Sequence, residues 1–104
     1  MFNKNDAYEF QKYAKKKAVE IYNENYNQNL QWDDIYLVWY AKTLQNHKCL
    51  LSTPISGDGC YIEVTFNGDK NEIYIDMYKK VSNTCIDCLN SKVKNQIIKE
   101  KNIW

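Results

Sequence analysis

A chain of 104 residues, 44% hydrophobic and 26% charged, with three Gly and one Pro, has the length and composition of one globular domain, spanning residues 1–104, and is too short for two. Its net charge of +1, with every one of the 14 basic residues a lysine, supplies no long-range field and no arginine fork for phosphate or guanine. That argues against nucleic acid as a partner.

The N-terminus carries no apolar signal core, and no window approaches the roughly 18 apolar residues of a membrane span. The expectation is a cytoplasmic protein with no membrane partner, whose four cysteines, Cys49, Cys60, Cys85 and Cys88, are thiols.

Asp6 to Glu9 has the pattern of a capping box, and Phe10, Ala14, Ala18, Ile21 and Tyr22 follow at helical spacing. This predicts a helix from about Asp6 to about Asn25, closed by the Asn-rich "NENYNQN", with Lys15, Lys16 and Lys17 on its solvated side. Ile35 to Leu44 is β-branched, aromatic and aliphatic, as in a strand buried on both faces. "LQNH" then reads as a turn, placing Gln45, Asn46 and His47 at a hairpin tip before a second strand over Lys48 to Thr53. Pro54 and "SGDG" close that strand with a turn.

The segment "CYIEVTFNGDKNEIYIDMYKK" is two alternating strands around Asn67-Gly68, a strong hairpin signal. Ile62, Val64 and Phe66 share a face, as do Ile73, Ile75 and Met77, and a four-residue "NGDK" loop would set Val64 against Ile73 and Ile62 against Ile75. The opposite face carries Tyr61, Glu63, Thr65, Glu72, Tyr74, Asp76 and Tyr78. A last helix is expected from near Thr84, with Ile86, Leu89, Val93 and Ile97 as its buried stripe. The order α-β-β-β-β-α with short connections predicts an α+β fold: a four-stranded antiparallel meander with both terminal helices packed on one face.

Cys85-x-x-Cys88 invites a zinc or redox reading, but Cys49, Cys60 and His47 form no second close-spaced pair, so packed or inert thiols are expected, with no metal and no cofactor. His47 reads as a turn histidine. Glu63 and Asp76 on one face could serve acid-base chemistry, yet no nucleophile motif or phosphate loop accompanies them, and the expectation is no enzyme. The better candidate surface is Tyr61, Tyr74, Tyr78 and Tyr40, since tyrosines offer large rigid area with a polar tip. Lys42 and Lys48 at one end would suit a small anionic ligand over the rings.

Trp39-x-x-Lys42-Thr43-Leu44-Gln45-Asn46-x-Lys48, followed by Asn67-Gly68-Asp69-Lys70 and Tyr74-x-Asp76-x-Tyr78-Lys79-Lys80, resembles a group of small uncharacterised phage and prophage proteins of low-GC Gram-positive bacteria. The resemblance covers about Asp33 to Lys80 and implies origin without an assigned activity. The expectation is a phage-encoded non-enzymatic binding protein, with a host protein or a second copy of itself (a homodimer) as partner. A rival is a small-molecule binder that sequesters a nucleotide signal, and a weak nucleic-acid binder is a third reading. Candidate partner-binding residues are Lys42, Thr43, Gln45, Asn46, Lys48, Tyr61, Glu63, Tyr74, Asp76 and Tyr78.

Overall fold

A computed structural model describes residues 2–55 and 59–98, with the side chains of Ile97 and Ile98 outside the description. The expected turn at Ser56 to Asp58 lies outside the described residues. Helix α1 (Ala7–Tyr26) begins where Asp6 caps it, the carboxylate accepting from the Glu9 N–H at 3.1 Å. It ends at Asn27, which takes a left-handed conformation, while the N–H groups of Asn27 and Gln28 both reach the Asn23 carbonyl. The Asn23 side chain then grips the Leu30 backbone through both its amide atoms, at 2.9 and 3.0 Å. The Asn-rich stretch stops the helix as expected.

A short 3-10 turn (Trp32–Asp34) leads into four strands, β1 (Tyr36–Thr43), β2 (Asn46–Ser52), β3 (Cys60–Asn67) and β4 (Glu72–Lys79), paired antiparallel in chain order. One face is covered by α1. Phe10, Ala14, Ala18, Val19 and Tyr22 of the helix meet Cys49, Leu51, Cys60, Ile62, Val64 and Phe66 of the central strands. The two alanines let the helix sit close to the sheet, and each fully buried Leu, Ile or Phe contributes about 1.5–3 kcal/mol.

Four expectations are corrected. The C-terminal segment forms a hairpin, β5 (Ser82–Asp87) and β6 (Lys92–Ile98), as a separate two-stranded sheet, where a helix was expected. Its turn, Cys88 to Ser91, is held by Asp87 accepting from Leu89 N–H and Asn90 accepting from Lys92 N–H, with Ser91 at φ 58°. Ile86 and Val93 therefore pair across two strands and are exposed, and so is Leu89 in the turn, so these three members of the expected helical stripe are not buried. Secondly, β1 is not buried on both faces; it is an edge strand beyond the cover of α1, and all of it but Tyr40 is exposed.

Thirdly, the β3–β4 loop runs from Gly68 to Asn71, which sets Val64 against Ile75 and Ile62 against Met77. That is two residues from the expected register, so the faces are preserved. Fourthly, His47 lies within β2 and is buried, alternating with Cys49 and Leu51 on the helix side. Its Nδ1 lies 2.6 Å from the Tyr40 hydroxyl and its Nε2 2.5 Å from the Lys4 carbonyl. A carbonyl only accepts, so Nε2 carries the proton and, in the neutral ring, Nδ1 accepts from Tyr40. Phe10 stacks on the imidazole at 4.7 Å.

Candidate functional site

The face of the sheet away from α1 is not covered by any of the described residues. The register arranges it in rows: Tyr36, Ser52, Tyr61 and Tyr78; then Trp39, Leu50, Glu63 and Asp76; then Ala41, Lys48, Thr65 and Tyr74. Neighbouring strands stand about 4.8 Å apart, so side chains in adjacent positions of a row are neighbours. Tyr36, Trp39, Tyr61, Tyr74 and Tyr78 are each 40–61% exposed, a large aromatic area for a monomeric surface.

Tyr36 and Trp39 share this face because β1 bulges between Leu37 and Trp39, with Val38 as the extra residue. Strict alternation would have sent one of them to the core side. Periodicity alone therefore could not find them, and the bulge itself leaves no mark in the sequence.

Glu63 and Asp76 face one another directly across β3 and β4. Like charges in that position repel. Lys48 relieves one of them, its Nζ lying 3.7 Å from Glu63 Oε2, whereas Asp76 has no cationic partner among the described residues. On the edge strand, Tyr74 donates to Glu72 at 3.2 Å, and the adjacent carboxylate raises the phenol above its ordinary value. Ala41, Thr43, Asn46, His47, Lys48 and Thr65 line a shallow concavity of about 240 Å³ at one end of the face.

Of the expected site residues, Lys48, Tyr61, Glu63, Tyr74, Asp76 and Tyr78 come together on this face, and Thr43 joins them at its rim. Lys42 does not. It pairs with His47 on the opposite side of β1 and donates to the Leu44 carbonyl, so the two lysines do not converge on one anion. Tyr40 also faces the helix side, engaged with His47.

Gln45 and Asn46 serve a clasp between two turns. Asn46 Oδ1 accepts from the Gly68 N–H at 2.8 Å, Gln45 donates to the Asp69 carboxylate, and Lys4 donates to the Gly68 carbonyl at 3.2 Å. A Cβ on Gly68 would stand 2.3 Å from the Gln45 carbonyl oxygen, so the closeness of the two loops requires glycine there. Much of the polar "KTLQNHK" is thus structural.

Among the described residues no group of three His, Cys, Asp or Glu side chains is placed to hold a metal ion, and no helix is long and apolar enough to cross a membrane. Cys49 and Cys60 are buried, while Cys85 and Cys88 are exposed on the hairpin.

These features define a small α+β domain in which one helix covers one face of an antiparallel four-stranded sheet and leaves a Tyr- and Trp-rich face open. The chain belongs to a family of unknown function (DUF6275), whose model matches residues 11–88. No curated protein and no solved structure matches it.

Proposed function

We propose that the protein is a non-enzymatic, cytoplasmic binding protein of phage or prophage origin that grips a host protein through the open sheet face and so inhibits it. The observation that carries the reading is the set of exposed rings, Tyr61 and Tyr78 side by side with Tyr36 beyond Ser52 in the same row, and Trp39 and Tyr74 in the following rows, on a sheet backed by α1. Rigid aromatics lose little conformational entropy on binding and are enriched where partners are held. Phage origin is supported by the sequence resemblance over Asp33 to Lys80.

A small anionic ligand is the second reading, favoured by the concavity beside Lys48. It now rests on a single lysine already near Glu63, because Lys42 lies on the other side.

The test is mass spectrometry of the proteins and metabolites that copurify with the tagged full chain from a bacterial host. A stoichiometric host protein lost on Tyr74→Ala supports the proposal. A bound nucleotide without protein supports the second reading, and capture that survives Tyr74→Ala removes the sheet face from consideration.

A further inference from the structure

Among the described residues, the β5–β6 hairpin pairs with no other strand. Every described side chain from Val81 to Gln96 is exposed except half-buried Asp87, and the apolar members are conspicuous: Val81, Ile86 and Val93 are about half exposed and Leu89, at the turn, is 97% exposed. A lone two-stranded ribbon is marginal in water at best, because it buries too little apolar area to offset the entropy of ordering it. The chain's radius of gyration, 16.5 Å, exceeds the ~13 Å of a compact chain of this length, as a projecting arm requires. Only Lys80 and Val81 separate β4 from β5, so the arm leaves the sheet at the end where Tyr61 and Tyr78 lie and has little slack to fold back on its own sheet.

We infer that the arm of one copy docks on the open sheet face of a second copy, and the reverse, in a twofold-symmetric dimer. The inference rests on the reading of that face as a protein-binding surface and names its occupant in the free protein. Three complementarities carry it. The arm offers exposed aliphatic side chains and the face exposed rings. The hairpin from Ser82 to Gln96 bears two lysines, Lys92 and Lys94, against one acid, Asp87; the face bears three acids, Glu63, Glu72 and Asp76, against Lys48. Asp76, with no cationic partner among the described residues and set against Glu63, is where an incoming lysine lowers the energy most. Finally, strands of six and seven residues make a ribbon about 20 Å long, which fits a face of seven- and eight-residue strands about 23–26 Å long and four strands wide. Two such contacts related by the axis form one isologous interface. A host protein using the same face would displace the arm.

Sedimentation equilibrium of the full chain tests this, with the exposed substitutions Leu89→Asp on the arm and Asp76→Lys on the face, both checked for unchanged circular dichroism. The expected result is a dimer weakened at least about tenfold by either substitution. An equimolar mixture of the two variants should then form a heterodimer through its one intact arm-and-face contact, which no face-to-face arrangement allows. A monomer throughout overturns the inference while leaving the host-protein reading standing. A dimer broken by Asp76→Lys but indifferent to Leu89→Asp also overturns it, since that places face against face. A dimer indifferent to both overturns it and counts against the face as a protein-binding surface.

Discussion

The Tyr40 hydroxyl donates to Nδ1 of His47 at 2.6 Å, joining the edge strand to the centre of the core. Tyr40→Phe would keep the ring and leave a buried imidazole nitrogen unpaired. The expected cost is about 1–3 kcal/mol. Urea denaturation measures it, and an unchanged midpoint would show that the bond contributes nothing net.

Burial also pushes the Cys49 thiol up from its ordinary 9.0 to about 12, and burial, with Cys49 and Asp6 nearby, raises the Tyr40 phenol above 10.0. The folded chain keeps protons that the unfolded chain releases, so stability should fall as pH rises from about 9 toward about 12. The slope from each such group is at most about 1.4 kcal/mol per pH unit. Cys49→Val removes one of them, and its stability, followed by denaturation at a series of alkaline pH values, should decline less steeply than that of the parent chain.

Gly68→Ala should destabilise by about 1–3 kcal/mol, because the new methyl group meets backbone, the Gln45 carbonyl, which cannot rotate away. Melting should fall by roughly 4–8 °C per kcal/mol in a domain of this size. A melting temperature equal to that of the parent would mean that the two turns separate freely.

A thiol reagent under native conditions should modify Cys85 and Cys88 quickly, and Cys49 and Cys60 only on unfolding. Intact-mass measurement counts the adducts. Rapid labelling of all four would contradict the burial of the core pair.

The helix was legible because Asp6 and the Asn-rich stop act locally, and the four-stranded meander because alternation and the Asn67-Gly68 turn act locally too. The C-terminal hairpin was not, since Ile86, Leu89 and Val93 fit a helical stripe as well as they fit two strands joined by a turn. The Asp87, Asn90 and Ser91 turn chemistry was the available signal for strands. His47 sits in step with Cys49 and Leu51 on the core side, a period-2 signal that the turn chemistry of its neighbours Gln45 and Asn46 masks. The open face was half visible: β3 and β4 alternate cleanly, whereas Lys42 and Lys48 flank one turn in the sequence but lie on opposite faces of the sheet.

The extra residue at Val38 acts as a phase shift in the edge strand. Downstream of it, Tyr40 and Lys42 keep step with the core side; upstream, Tyr36 is brought back into step with Trp39 on the open side. Removing Val38 would leave a regular ladder in which Tyr36, Leu37 and Trp39 oppose Ser52, Leu51 and Leu50 as they do now, so every face would be kept. The edge strand thus accommodates a change of length at that one position: the open-side Tyr36 and the buried Ile35 before it keep their places whether the extra residue is present or not.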